Sequence, residues 1–109
     1  DIIHGHSAHI FQGIEVYNKK LIMYDTGDII DDYAVDQEVR NDRSFIFLVN
    51  LNKNGIINVR LVPTLIHHMQ VNHATGTDYR ESVDRIKELS EEFGTHIEEM
   101  DGVIILENN

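Results

Sequence analysis

Cysteine and tryptophan are absent from the chain, and proline occurs once, at Pro63. Without cysteine there can be no disulfide, no thiolate metal ligand and no sulfur nucleophile. Any metal site must use nitrogen and oxygen donors. Basic residues are scarce, with 9 Lys+Arg against 19 Asp+Glu and a formal net charge of −10. A field of that sign repels phosphate backbones, so nucleic acid is not an expected partner. The same field suits cations, divalent metals included. No apolar run approaches the roughly 18 residues that span a bilayer, so no membrane anchor is expected in this chain. No signal-peptide pattern opens it. It begins with Asp1 and not methionine, which suggests a processed chain or a piece of a longer one.

What is present suits one domain over residues 1–109, with 41% hydrophobic residues and no internal repeat. Ile2-Ile3 reads as a short buried strand running into a turn at Gly5. Residues 14–17 and 21–24 form a hairpin about Asn18-Lys19-Lys20. Residues 25–43, dense in carboxylates, read as a loop with a short helical turn. Phe45 to Leu51 and Ile56 to Thr64 form a second hairpin, turned at Asn54-Gly55 and ended near Pro63. Leu65 to Val71 extends the sheet. The spacing of Tyr79, Val83, Ile86, Leu89 and Phe93 predicts a helix over residues 78–93. Asp78 and Glu81 would form its capping box and Gly94 its stop. The tail, 96–106, reads as a last hairpin about Asp101-Gly102. The expected fold class is α+β, a mostly antiparallel sheet built from hairpins with one main helix.

"HGHSAHIFQG", residues 4–13, places three imidazoles at the end of an apolar strand. Strand ends present ligands to clefts, and Gly5 would let the chain turn so that His6, Ser7 and His9 share one rim. Neutral imidazoles bind borderline divalent metals, and a nearby serine or aspartate can orient them. The acidic run "YDTGDIIDD", residues 24–32, supplies Asp25 and Asp28 as candidates for that orienting role, on a second rim. The competing reading is an ordinary polar loop beside an acidic turn.

The run "DIIHGHSAHIFQGIEVYNKKLIMYDTGD", residues 1–28, resembles the C-terminal metal-site signature of the CapA-type capsule (poly-γ-glutamate) synthesis proteins, a family of the calcineurin-like metallophosphoesterases. Gly5, His6 and His9 match one block. Gln12, Gly13, Glu15 and Tyr17 match a second, and Tyr24 and Gly27 a third. Ala8 stands where the family has proline, and Asp25 and Asp28 where it has serine and asparagine. The upstream motifs Asp-x-His, Gly-Asp-x-x-Asp and Gly-Asn-His are not in this chain.

The resemblance implies the C-terminal part of a metallophosphoesterase-like α/β sandwich. His6 and His9 would be metal ligands, with His4, Ser7, Asp25 and Asp28 as orienting or substrate-rim residues. The cofactor would be one or more divalent ions (manganese, zinc or iron), and the chemistry a hydrolase-like attack on an anionic or polymer-related substrate. The resemblance also implies a cell-envelope or membrane-associated setting. This chain alone is expected to be inactive, and the alternative is a non-catalytic binding or assembly module. Asp31 and Asp32 are weaker candidate ligands. Adjacent His67 and His68 should point to opposite faces of a strand. His73 and His96 read as structural or surface residues, and Glu88, Glu91 and Glu92 as solvated. Arg40 and Arg43 should pair with nearby aspartates, the alternative being contact with an anionic substrate. Exposed strand edges predict a homo-oligomer.

Overall fold

A computed structural model describes residues 1–29, 36–100 and, as backbone, 103–106. The elements are β1 (Ile2–His4), β2 (Ile14–Tyr17), β3 (Lys20–Met23), β4 (Arg43–Asn52), β5 (Gly55–His67), β6 (Gln70–His73), α1 (Gly76–Glu91), β7 (Ile97–Met100) and β8 (Val103–Leu106). They build an α+β fold: a three-stranded sheet ordered β1-β3-β2 and a five-stranded sheet ordered β4-β5-β8-β7, with β6 paired to β5.

The first two predicted hairpins form. Asn18 and Lys19 carry φ of 50° and 62°, the mirror-image turn that matches strand twist. The predicted return strand is longer than expected and runs through Pro63 to His67. Pro63 is tolerated because of where its missing N–H falls. Its carbonyl accepts from Ala74 at 3.0 Å, so its nitrogen faces away from β4. There β8 pairs with β5 only as far as Leu61, and the pairing with β6 starts at Thr64. The one bond forgone is the return bond to the Ala74 carbonyl, just past the last β5–β6 pair.

Two expectations need correction here. β1 forms, but it is exposed and not buried, and it pairs with β3 in parallel. His67 and His68 do not point to opposite faces of a strand. His68 lies in the β5–β6 turn with φ 51°, and its ring centroid is 3.9 Å from that of His67. Asp31, Asp32 and the turn at Asp101-Gly102 lie outside the described residues, although β7 and β8 pair antiparallel as a hairpin would.

The core lies where both sheets meet α1. Phe11, Ile14, Leu21 and Met23 come from the first sheet and its approach, and Phe45, Val59 and Leu61 from the second. Val83 and Ile86 come from the helix. The rings of Phe11 and Phe45 meet edge-on at 4.8 Å. Burying each such side chain contributes about 1.5–3 kcal/mol relative to exposure. Among the predicted helix positions, Val83 and Ile86 are fully buried, and Tyr79 and Leu89 flank the core. Phe93 lies past the helix and stacks on Tyr24 at 4.7 Å.

The helix starts two residues earlier than predicted, and the capping box does not form. Thr75 is the N-cap, without a side-chain bond. Asp78 and Glu81 instead answer to arginines. Asp78 accepts from Arg40 at 3.2 Å and Arg43 at 3.0 Å, and Glu81 accepts from Arg43 at 3.2 Å. Arg40 also grips Asp42 with two 2.9 Å bonds. The expected pairing of both arginines with aspartates thus forms. The helix ends at Glu91, two residues short of the predicted bound, and Gly94 closes it as predicted. Gly94 has φ 75°, its N–H donates to Glu91 and the Thr95 N–H to Ser90, the bond pair of a Schellman ending.

The far end of α1 also serves the first sheet. The outward N–H groups of β2 donate to side chains there: Ile14 to Ser90 Oγ at 3.0 Å and Val16 to Thr95 Oγ1 at 3.3 Å. Gly13 lets the strand come this close, since a Cβ there would lie 2.7 Å from the Leu89 carbonyl oxygen.

Candidate functional site: the histidine loop

β1 ends at His4, and the chain then crosses the end of β3. Gly5 is needed for a different reason than the turn proposed for it. A Cβ at residue 5 would sit 2.0 Å from the Tyr24 carbonyl oxygen, and the Gly5 N–H donates to Met23 at 2.8 Å. The left-handed backbone falls on Ser7 (φ 81°) and His9 (φ 63°). Non-glycine residues reach that region at a cost of order 1–3 kcal/mol, so the surroundings must hold them there.

Asp25 holds them. It is 4% exposed. One carboxylate oxygen accepts the Ala8 N–H at 2.8 Å and the other the Gly27 N–H at 2.8 Å. The second bond is an Asx-type turn, and the first ties the histidine loop to it. The Asp25 carbonyl accepts from Gln12, and Phe11 bridges Thr26. Ser44 on β4 donates to the Thr26 carbonyl at 2.7 Å. The loop is thus pinned to both sheets.

The imidazoles project from this frame into solvent. His9 Nδ1 lies 3.3 Å from each carboxylate oxygen of Asp28, and its side chain is 63% exposed. His6 Nδ1 is 2.7 Å from Ser7 Oγ, and His4 Nε2 is 2.9 Å from Thr26 Oγ1. The structure therefore brings His9 and Asp28 together and His6 and Ser7 together. Asp25 bonds backbone rather than an imidazole. Thr26 and Ser44 take part without having been singled out. Only the Asp-x-Gly spacing of 25–27 announced part of this frame, because partners on β4 are remote in sequence.

The donor set suits a borderline divalent metal in part. With Nδ1 engaged on His6 and on His9, Nε2 of each is the atom left for a ligand, and a carboxylate behind an imidazole fixes its orientation. Among the described residues, no group of three or more His, Asp or Glu side chains is placed to hold an ion.

Other matched positions are structural. Tyr24 donates to Glu15 at 2.6 Å, and that bond pushes the tyrosine hydroxyl above its ordinary range. His96 lies 3.4 Å from Glu98, His73 is exposed on β6, and Glu88, Glu91 and Glu92 face solvent. Among the described residues, no helix is long and apolar enough to cross a membrane.

Residues 1–33 match the sequence profile of the family described as "Bacterial capsule synthesis protein PGA_cap". Over 102 residues, the chain is 28% identical to a protein described as a probable polyglutamine synthesis accessory protein in two strains of Mycobacterium tuberculosis. That alignment covers 89% of this chain and 27% of the relative. Over 67 residues, it is 36% identical to the PGA biosynthesis protein CapA of Bacillus subtilis, covering 62% of this chain and 17% of that protein. The chain therefore spans about a quarter of the length of the mycobacterial relatives, and the family profile's match, residues 1–33, takes in the strand, loop and hairpin that carry the histidines. By these matches the chain is similar to the CapA-type capsule synthesis proteins.

Proposed function

We propose that this chain is the C-terminal part of a protein of poly-γ-glutamate capsule synthesis, and that its histidine loop supplies half of a metal-dependent, phosphoesterase-like hydrolytic centre. The relatives' names support the first statement. One observation carries the second: His9 is backed by Asp28, which leaves its Nε2 outward on a loop pinned by Asp25. His6 and His9 would hold a divalent ion such as zinc, manganese or iron through Nε2. Once bound, such an ion polarises a phosphoryl-type oxygen and lowers the pKa of its water. Asp28 keeps the proton of His9 on Nδ1, so that Nε2 stays a lone-pair donor. Ser7 does the same for His6. Asp25 keeps both rings on one rim, and His4 borders it. The remaining ligands would come from upstream in a longer parent chain.

The lack of a third donor among the described residues favours a second reading for this chain on its own, a binding or assembly module without turnover. Calorimetric titration of Zn²⁺ or Mn²⁺ into this chain and into a full-length family member containing it tests both. Tight binding by the full-length protein, weak binding by this chain, and loss on His6→Ala or His9→Ala support the hydrolytic reading. Affinity should also fall as acid protonates the rings. Equal binding with and without the two imidazoles overturns the ligand assignment.

A further inference from the structure

Beside the histidine loop lies a second concavity of about 460 Å³, within the usual range of about 300–1,000 Å³ for small-ligand sites. Ile10 and Phe11, directly after His9, form its apolar wall. Arg40, Arg43 and Arg85 also line it, as do Glu38 and Glu81. On a chain with only 9 basic residues this is a concentration of guanidinium groups.

Two of the arginines are pre-set. Arg43 and Asp42 have side chains only 11% exposed. A buried ionic network of this kind adds little stability over apolar packing. What it does is fix the direction of the guanidinium planes. Arg40 spends Nε and Nη2 on Asp42 and Asp78, which leaves Nη1 without a partner among the described residues. Arg85 is exposed on α1 and has no acidic partner among the described residues. A guanidinium carries five N–H donors and matches a carboxylate edge-on.

Charge balance selects the ligand class. Against the three arginines stand Asp42, Asp78, Glu81 and Glu38, so a phosphate or a row of carboxylates gains little net attraction and meets Glu38 and Glu81. A ligand with its own cation next to its carboxylate meets both signs. We propose that this cavity binds the adjoining ammonium and carboxylate of an α-amino acid, the carboxylate on Arg85 and the ammonium on Glu38. A free amino acid has both groups. So does the amino-terminal residue of a chain linked through side-chain carboxyls. The assignment does not depend on a metal.

Amide NMR titration of this chain, with EDTA present, tests it. L-glutamate, γ-glutamylglutamate, glutarate and inorganic phosphate are the probes. Saturable shifts at Ile10 and Phe11 are expected with glutamate, weakened about tenfold or more by Arg85→Ala, which corresponds to about 1.4 kcal/mol or more. Glutarate, which lacks the ammonium, should bind several-fold more weakly. Equal or tighter binding of the dipeptide identifies a chain end, and binding of glutamate alone a free amino acid; either supports the site. Because the Arg85 side chain is exposed, an unchanged spectrum away from the cavity shows that the variant is folded. His6→Ala and His9→Ala should leave glutamate binding intact, which separates this site from the metal reading. Absence of saturable shifts, unchanged affinity in Arg85→Ala, or phosphate binding as well as glutamate would overturn it.

Discussion

Asp25 shows how one side chain can matter without touching a ligand. Both its oxygens accept backbone N–H groups in a nearly water-free position. Leaving one such donor unsatisfied costs about 1–3 kcal/mol. Asp25→Ala should therefore lower stability by at least about 2 kcal/mol in urea unfolding, with faster hydrogen exchange at Ala8 and Gly27. Unchanged exchange at Ala8 would mean that the loop is held by something else. The glycines make a paired test. Gly5→Ala collides with the fixed Tyr24 backbone, whereas Gly94→Ala meets nothing within 4 Å and suffers only its φ of 75°. The second should cost about 1 kcal/mol. The first should cost clearly more, and thermal melts of the two variants rank them. The spacing "GHSAH" in the sequence pointed to this loop, yet not to which residues would bear the left-handed backbone, because a close approach by Tyr24 cannot be read from neighbouring letters.

Local signals in the elements were reliable where the partner was near in sequence. Asn18-Lys19 and Asn54-Gly55 turn the two hairpins, and Gly94 ends the helix. They failed where a remote partner intervened. Asp78 and Glu81 look like a capping box until Arg40 and Arg43, some 35 or more residues away, claim them. β1 alongside β3 is a parallel, non-local pairing that no turn announces. The arginine network that joins the start of β4 to α1 also sets the acid sensitivity. The Arg40 guanidinium beside Asp42 holds that carboxyl below its ordinary range. Hydrogen bonds from Tyr79 and Arg80 do the same for Glu99. A depressed folded-state value means that the stabilisation is complete above the unfolded value, about 3.9 for Asp. It is lost as pH falls from there through the lower folded value. Asp42→Asn should lower stability at neutral pH by about 1–3 kcal/mol and flatten the acid limb of a stability–pH curve. An identical acid limb in the variant would place the sensitivity elsewhere.

At the scale of the whole molecule, the first sheet has one guarded edge and, among the described residues, one open edge. Side chains of Ser90 and Thr95 occupy the outward N–H groups of β2. β1 faces outward with Ile2 and Ile3 exposed, Ile3 at 61%. An open apolar edge invites strand pairing. Sedimentation at rising concentration should show self-association that Ile3→Lys abolishes, since a charge on an edge strand discourages pairing. Association that persists in Ile3→Lys would shift attention to the exposed face of β4, where Ile46 and Leu48 lie.

The guarded edge has a consequence for the size of any such assembly. Two copies meeting β1 to β1 about a two-fold axis make one continuous six-stranded sheet, bounded on both sides by β2. Each boundary is then already occupied by the helix end of its own copy, so a third molecule finds no free ladder to join. Association through this sheet terminates at the dimer and cannot run on into a filament: the Ser90 and Thr95 hydroxyls act as chain terminators for polymerisation.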